Sequence, residues 1–392
     1  MTDSEAPAGA GTARRAATGR GELPDFEMER WQSRHEHHVD YNLSDSGAHP
    51  FTLDELLRET GAGVGDQLLG YVQTNGTVPL RERIARLYDD AGPENVLATT
   101  GGAEANFLAL WELVSAGDRV VFQLPTYGQT PGLARWLGAE VDSFRLEEDR
   151  GWQVAPGAAR EAITSDTRLV VVTNPNNPTG ARLSAETREE IVDAAADAGA
   201  WILSDEVYRG AELDGRETAS LWGEYDRVIV THSLSKAYGL PGLRLGWLAG
   251  PEEAIERLWG RKDYTSIAPA ALSDRLAAAA LDPEHRPAVL ERTRELLREN
   301  LDRLTGWLDR RPELFAYREP EAGAICFVRY RMDVNSTELA DRLRREKSVL
   351  LVPGDQFGMD GYLRIGFGNP SSELESALDR VGALVEEIAG RG

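Results

Sequence analysis

Short apolar stretches alternate with amphipathic ones along the middle of the chain, from residue 95 to residue 250. Those of strand length are rich in β-branched and aromatic residues and cover 119–125, 168–174, 201–208, 227–233 and 244–250. Residues 184–200 have the spacing of a helix, which Ser184 can begin as its N-cap. Strands that are apolar throughout and separated by helices predict a mainly parallel sheet covered on both faces. Such sheets bind their ligands at the carboxyl ends of the strands.

The pattern changes near residue 285. A long charged helix is predicted over 286–310, and a strand, a second helix and two further strands follow at 324–332, 336–346, 348–354 and 362–367. This order predicts a smaller α+β domain. We therefore expect a disordered leader, an N-terminal segment that packs with the small domain, a large domain and a C-terminal small domain, over 1–25, 26–60, 61–285 and 286–392.

The amino-acid composition argues against a nucleic-acid-binding protein and against a membrane protein. The formal net charge is -22, and 41% of the residues are hydrophobic. An acidic chain lacks the basic face that nucleic-acid phosphates require, and its apolar stretches are far shorter than the ~20 residues of a membrane span. A single cysteine, Cys326, rules out an internal disulfide and is typical of a reducing compartment. We expect a cytoplasmic protein that binds neither nucleic acid nor membranes.

Two polar clusters lie beside predicted strands in the first half of the sheet region. The segment TTGGAEA, 99–105, leads into a helix, so the amides of Gly102 and Ala103 can bind an anion such as a phosphate. An ordinary tight turn is the alternative. Tyr127, which follows the strand 119–125, can stack on a flat ligand or pack in the core. Neither cluster alone decides between ligand binding and structure.

Two further clusters carry groups that suit an enzyme site. The loop NPNNPTG, 174–180, is made irregular by two prolines and presents the side-chain amide of Asn177 as a donor. The segment SDEVY, 204–208, places Asp205 at the end of a strand, where a buried carboxylate needs a cation opposite it. Tyr208, three residues later, can present its hydroxyl to the same site.

The lysine of SLSKAYGLPGLRLGW, 233–247, is the most specific signal. The chain has three lysines and forty arginines, and one of those lysines, Lys236, follows a predicted strand. A buried lysine loses its proton readily and can then form a Schiff base, whereas arginine stays charged. The hydroxyls of Ser233 and Ser235 and the guanidinium of Arg244 suit a phosphate bound nearby.

In this order, NPNNPTG, SDEVY and SLSKAYGLPGLRLGW resemble the motifs of the class I/II aminotransferase superfamily, fold-type-I enzymes that depend on pyridoxal 5'-phosphate (PLP). The resemblance covers roughly residues 40–390. It implies an α/β fold with a large domain, built on a mainly parallel seven-stranded sheet, and a smaller α+β domain. It also implies that PLP forms a Schiff base with Lys236, and that this lysine then moves the α-proton of the substrate.

The resemblance implies roles for the other polar residues as well. Asp205 would pair with the protonated pyridine nitrogen of PLP and keep the ring an electron sink. Tyr127 would stack on the ring, and Tyr208 and Asn177 would bind its 3-oxygen. The phosphate would be held by Gly102, Ala103, Ser233, Ser235 and Arg244.

Four positions imply a substrate and a partner. Tyr71 matches the tyrosine that reaches the phosphate of the neighbouring subunit, which implies a homodimer with shared active sites. Arg364, in YLRIGF, matches the arginine that binds the substrate α-carboxylate with paired hydrogen bonds. Gly47 matches the glycine that closes over the same carboxylate, and Asn177 lies beside it. Together these positions imply an L-α-amino acid substrate.

The resemblance leaves the reaction open. Transamination, through an external aldimine and a quinonoid, is the leading expectation. Together with SLSKAYGLPGLRLGW and with KDYTSIAP, 262–269, the segment NLSDSGAHPFTLDELL, 42–57, is instead similar to PLP cyclases of the capreomycidine synthase type. The alternative is therefore elimination, replacement, carbon–carbon bond formation or cyclisation, with a modified arginine or S-adenosylmethionine as substrate. His49, in the same segment, is a candidate extra acid or base, and a surface histidine is the simpler interpretation.

A non-catalytic scaffold and a metal site are the remaining alternatives. A scaffold that binds PLP without turnover would not need Lys236, Asp205 and Arg364 together. Three histidines lie close in the sequence: His35, His37 and His38. Because no cysteine and no regularly spaced carboxylate accompanies them, we expect a charged helix or linker there and no metal.

Overall fold

The computed structural model describes residues 23–390. Its strands are β1 (Tyr41–Asn42), β2 (Val96–Thr99), β3 (Arg119–Leu124), β4 (Glu140–Glu147), β5 (Gln153–Val154), β6 (Thr167–Thr173), β7 (Trp201–Asp205), β8 (Val228–Ser233), β9 (Gly246–Ala249), β10 (Phe315–Tyr317), β11 (Ile325–Tyr330), β12 (Val349–Leu350), β13 (Val352–Pro353) and β14 (Tyr362–Gly366). Its helices are α1 (Glu27–His35), α2 (Leu53–Thr60), α3 (Val78–Ala85), α4 (Gly102–Leu113), α5 (Gln129–Trp136), α6 (Ala158–Ala162), α7 (Ala185–Ala198), α8 (Glu252–Lys262), α9 (Ala271–Ala280), α10 (Arg286–Asp309), α11 (Ser336–Lys347) and α12 (Ser371–Ala389). The predicted leader, 1–25, lies outside the described residues except for 23–25.

The large sheet has the strand order β2-β9-β8-β7-β6-β3-β4-β5. Strands β8, β7, β6, β3 and β4 are parallel to one another, β9 is antiparallel to both of its neighbours, and β5 is antiparallel to β4. The predicted mainly parallel sheet is therefore confirmed, with the two-residue strand β5 as an eighth member at one edge.

The central strands are apolar throughout because both of their faces are covered. Along β6, Leu169 and Val171 pack into one hydrophobic core, whereas Val170 and Val172 pack into the other. Alternate side chains of a strand point to opposite faces, so a strand between two cores needs apolar residues at every position. Polar residues lie instead at the carboxyl ends of these strands, where Thr173, Asp205 and Ser233 are buried.

Helix α7 begins as its sequence predicts. The Ser184 side chain accepts a hydrogen bond from the Thr187 amide, and the helix ends at Gly199, whose φ of 66° is left-handed. Of the helices within residues 23–390, none is long and apolar enough to cross a membrane.

A second, smaller sheet has the order β10-β11-β14-β13 and is antiparallel throughout, so the predicted smaller α+β domain is confirmed. Strand β1 pairs in parallel with β12, which joins the segment around residue 41 to the C-terminal part of the chain. Cys326 is fully buried in β11. The domain boundaries at 60/61 and 285/286 stay a prediction.

Candidate active site

A cavity of about 340 Å³ lies at the carboxyl edge of the large sheet. Thr173, Asp205 and Ser233, the last residues of β6, β7 and β8, all line it. The structure brings most of the predicted site residues together there: Gly102, Ala103, Tyr127, Asn177, Asp205, Tyr208, Ser233, Ser235, Lys236, Arg244 and Arg364. Parallel strands order these side chains because their carboxyl ends meet at one edge.

Lys236 lies three residues after the end of β8, and its Nζ is 3.3 Å from Asp45 Oδ1. Burial is the largest influence and disfavours the ammonium, but the Asp45 carboxylate and Tyr208 together outweigh it, so the pKa of Lys236 is raised above its usual value. This is the opposite of the lowered pKa that the sequence predicts for a buried lysine. Partial desolvation favours a higher pKa of Asp45, but the Lys236 ammonium and the Gly47 amide outweigh it, so the pKa of Asp45 is lowered. In the cofactor-free protein the two residues therefore form an ion pair.

Asp45 is a site residue that sequence reasoning missed. Its Oδ1 also accepts a hydrogen bond from the Gly47 amide at 2.9 Å. Two glycines clamp this segment, since a Cβ on Gly366 would lie 2.2 Å from Asp45 O and a Cβ on Gly368 would lie 2.0 Å from Gly47 O. Its only signal in the sequence is the unusual Asp-Ser-Gly that the segment carries.

Asp205 is buried, and Asn106 is its principal partner. Asn106 Nδ2 donates to Asp205 Oδ2 at 3.0 Å, and Thr231 donates to Asn106 Oδ1 at 2.8 Å. Burial raises the pKa of Asp205, although the bonds from Asn106 and the Val207 amide oppose the rise. No lysine or arginine of residues 23–390 forms an ion pair with it. Sequence reasoning also missed Asn106, which follows Gly102 by one helical turn and could have been found from that spacing.

The N-terminus of α4 and Arg244 lie together and could hold an anion. Helix α4 begins at Gly102, so its first amides have no partner within the helix. Arg244 Nη1 donates to Ser235 Oγ at 3.2 Å, and the Ser235 amide donates to Ser233 Oγ at 3.1 Å. Gly101 has a φ of 79°, and a Cβ there would lie 2.4 Å from Arg244 Nη2. The absence of a side chain at Gly101 therefore lets the guanidinium approach the helix.

Arg364 is only 1% exposed and faces the cavity from β14. Its Nη1 donates to Asn177 Oδ1 at 3.0 Å and its Nη2 to Ser44 O at 2.5 Å, while its Nε has no partner in the described residues. Burial lowers the pKa of Arg364, against the opposing effects of Tyr208 and Asp45. Met28 Sδ also accepts from Nη1, at 3.6 Å, so these hydrogen-bond partners are all neutral, and a buried guanidinium of this kind could bind a carboxylate.

Two tyrosines complete the lining. The Tyr127 hydroxyl donates to Glu29 Oε1 at 2.7 Å, and the Tyr127 ring meets Phe26 edge-on at 4.9 Å between centroids. Burial and Glu29 together raise the pKa of Tyr127, so its hydroxyl stays protonated. Tyr208 is buried, and a Cβ on Gly323 would lie 3.1 Å from its ring.

These residues fit PLP. Asp205 is a buried carboxylate without a cation, which the pyridine nitrogen of PLP would supply, and the α4 N-terminus with Arg244 suits the phosphate. A model of the family described as aminotransferase class I and II matches residues 41–381. The chain belongs to the class I and II aminotransferase family. It is therefore a PLP-dependent enzyme of that family.

Relatives within the aminotransferase family catalyse more than one reaction. Capreomycidine synthase of Streptomyces vinaceus is 33% identical over 93% of this chain and 94% of its own length. A PLP-dependent aminotransferase from Streptococcus suis is 35% identical, covers 94% of this chain and 99% of its own, and has a TM-score of 0.88. The PLP-dependent cyclase OrfR is 27% identical, covers 95% and 99% of the two chains, and has a TM-score of 0.85.

Three predicted positions of this aminotransferase-family chain lie outside the cavity lining. Gly47 lies beside it, since a Cβ there would be 3.6 Å from Lys236 Cδ. Tyr71 is 90% exposed on the surface. His49 is also exposed, and its amide donates to Gly368 O at 2.6 Å. Within residues 23–390, no group of three or more His, Cys, Asp or Glu side chains could hold a metal ion.

Proposed function

We propose that this enzyme is an aminotransferase that binds PLP covalently through Lys236 and acts on L-α-amino acids. The observation that carries the proposal is that one cavity holds Lys236, Asp205 and Arg364, three groups with separate tasks. The first is a lysine that could form a Schiff base; within residues 23–390, the second is a buried acid that lacks a cation and the third a buried guanidinium that lacks a carboxylate.

Each residue has a physical task in this proposal. PLP, when bound, supplies an electron sink that stabilises negative charge at the α-carbon. Asp205 keeps its carboxylate charged against a cationic ring nitrogen, and Asn106 orients that carboxylate. Arg364 binds the α-carboxylate, and Lys236 takes the α-proton and returns it. Tyr127 covers the cavity next to the ring.

We also infer a homodimer. Four large side chains are strongly exposed: Leu68, Leu69, Tyr71 and Tyr264 at 81%, 85%, 90% and 80%. The two loops that carry them are tied together, because Lys262 Nζ donates to Thr74 O at 3.0 Å and to Ile267 O at 2.6 Å. Exposed apolar side chains held on adjoining loops are typical of a protein interface. Tyr71 would then reach the phosphate in the neighbouring subunit.

A reaction at the substrate side chain is the second candidate function. The contact between Asp45 and Lys236 favours it, because the carboxylate is a second proton acceptor beside the amine. Capreomycidine synthase, at 33% identity, adds support. The alternatives of this class are elimination, replacement and cyclisation.

Single-turnover absorbance spectroscopy separates the two candidates. The PLP-loaded enzyme is mixed, without any keto acid, with L-arginine, hydroxyarginine, aspartate, glutamate, aromatic amino acids or S-adenosylmethionine. An aminotransferase converts PLP stoichiometrically to its pyridoxamine form and releases a keto acid. Recovery of PLP together with a cyclised or side-chain-cleaved product would contradict transamination and support the second candidate. K236A should abolish either outcome, and K347A, at a half-buried lysine outside the cavity lining, should not.

A further inference from the structure

One wall of the cavity has no role assigned in the proposed PLP site or α-carboxylate site, although Met28 Sδ accepts a hydrogen bond from Arg364 Nη1 at 3.6 Å and Asp45 pairs with Lys236. Its side chains come from α1 and its C-cap, and from the segment after β1: Met28, Glu29, Gln32, Glu36, Asp45 and Ser46. We call Glu29, Glu36 and Asp45 the acidic wall. The cations that line the cavity are Lys236, Arg244 and Arg364, and each already has a task.

The carboxylates of the acidic wall are not neutralised by arginine. Glu29 accepts a hydrogen bond from the neutral hydroxyl of Tyr127, and Glu36 lies 3.5 Å from the exposed side chain of His37. Between residues 23 and 390, no arginine forms an ion pair with any of the three, although arginine pairs with carboxylates at many other places in the fold. Glu29 and Glu36 therefore add negative charge to this wall, whereas the charge of Asp45 is offset by Lys236.

The Asp45 carboxylate is fixed in a position where it can bind a cation. The Gly47 amide fixes its carboxylate, and its one cationic partner is Lys236. In the proposed reaction Lys236 must be a neutral amine to take the α-proton, and a neutral amine leaves Asp45 without a cation beside it. A cationic group of the substrate can then take its place beside Asp45.

The acidic wall adjoins the carboxylate site. The Ser44 carbonyl accepts a hydrogen bond from Arg364 Nη2, and also one from Gln32 Nε2 at 2.7 Å. Asp45 is the next residue along the chain. Arg364 is an independent sign of a ligand in this place, because it is 1% exposed and its Nε has no partner among the described residues. An amino acid whose α-carboxylate binds Arg364 therefore meets the acidic wall within the same cavity.

We propose that the substrate is an L-amino acid with a cationic side chain, an ammonium or a guanidinium, and that Glu29, Glu36 and Asp45 select it. This rests on the proposed function, since Arg364 must bind the α-carboxylate, but it holds for either candidate reaction. An anionic side chain is repelled by the acidic wall, and a neutral one leaves its carboxylates without a cation.

The test measures binding of matched amino acids to the PLP-loaded enzyme, by calorimetry and by the change in PLP absorbance. L-Arginine is compared with its neutral analogue L-citrulline, L-lysine with L-norleucine, and L-glutamate serves as the anion. We expect at least one cationic member to bind about tenfold more tightly than its neutral partner. We also expect this ratio to fall as salt is added, because the wall is partly exposed.

Variants that replace one acidic side chain by its neutral amide show which carboxylates cause the preference for cationic amino acids. E29Q and E36Q should each lower the cation preference about two- to fivefold, as expected for solvent-accessible pairs. Asp45 also contacts Lys236, so D45N can change binding of every amino acid. For this variant we therefore compare only the ratio of the affinities for a cationic amino acid and its neutral analogue. E27Q removes an exposed charge from α1 outside the cavity lining and should leave the ratio unchanged.

The outcomes separate this inference from the proposed function. Tighter binding of neutral or anionic amino acids, or an undiminished cation preference in the E29Q/E36Q/D45N variant, overturns the inference and leaves the proposed function standing. If the enzyme binds PLP and no L-amino acid changes the PLP absorbance, the proposed function itself is contradicted, and the inference that rests on it falls as well.

Discussion

Asp205 is a residue whose burial lowers the stability of the folded protein and whose charge should favour PLP binding. Its carboxylate is buried with no cation opposite it in the part of the chain that the structure describes, and burial raises its pKa in the folded protein. A carboxylate whose pKa is higher in the folded than in the unfolded chain destabilises the fold at neutral pH. That destabilisation disappears as the pH falls through the folded pKa, because the acid is then neutral in the folded state. A bound cationic ring would remove it at neutral pH.

Asp205→Asn should therefore stabilise the cofactor-free protein and weaken its hold on PLP. We expect a higher melting temperature at neutral pH, because the amide carries no charge to bury. We expect PLP affinity to fall about ten- to a hundredfold, the loss of one charge-assisted hydrogen bond. Scanning fluorimetry and PLP titration measure the two effects. Asp90→Asn, at an exposed position, is the control, and a variant that binds PLP as tightly as the parent would contradict the role of Asp205.

At the scale of the element, the segment from Leu43 to His49 is positioned by the strand β14 and the residues after it. The Gly366 amide donates to Leu43 O at 2.7 Å and the His49 amide donates to Gly368 O at 2.6 Å. Both glycines lie too close to the segment to accept a side chain. Asp45 therefore owes its place beside Lys236 to backbone packing from the other end of the chain.

Gly366→Ala should displace Asp45. The added Cβ would lie 2.2 Å from Asp45 O, so the segment must shift, and overpacking of this kind lowers the free energy of unfolding by about 1–3 kcal/mol. We expect weaker amino acid binding as well. Gly260→Ala in α8 is the control, because a Cβ there meets nothing within 4 Å. Urea unfolding and amino acid titration report both quantities, and unchanged binding by Gly366→Ala would contradict this account.

The same contacts explain what the sequence could predict. Lys236, Asp205 and Asn177 follow strands, so local patterns place them at one edge of the sheet. Asp45 and Glu29 reach the cavity through long-range packing that no local pattern encodes. The pairing of β1 with β12 involves two residues on each strand, too short a signal to be found in the sequence.

At the scale of the whole molecule, large apolar side chains at 68–71 and at 264 are exposed to solvent in a single subunit. A dimer interface would cover them. If they form a dimer interface, placing charge there should separate the subunits. We expect Leu68→Asp/Leu69→Asp to convert a dimer to a monomer in light scattering, because two buried carboxylates without partners oppose association. Leu23→Asp, at another exposed apolar residue, should remain dimeric. A parent protein that is monomeric at micromolar concentration would contradict the inferred homodimer.

Tyr71→Phe separates assembly from cofactor binding. The variant keeps the aromatic ring of the interface and loses the hydroxyl that would reach the partner's phosphate. We expect a dimer whose PLP affinity is lowered about threefold to tenfold, the effect of one hydrogen bond. Titration of the cofactor-free dimer measures this affinity, and equal affinities would remove Tyr71 from the site.

The central claim is that Lys236 carries the cofactor, and the chain's three lysines make a direct test possible. The PLP-loaded protein is reduced with borohydride, digested, and its peptides are analysed by mass spectrometry. We expect the reduced cofactor on the peptide that contains Lys236, stoichiometrically, with Lys262 and Lys347 unmodified. Cofactor on either of those lysines, or on none, would contradict the account.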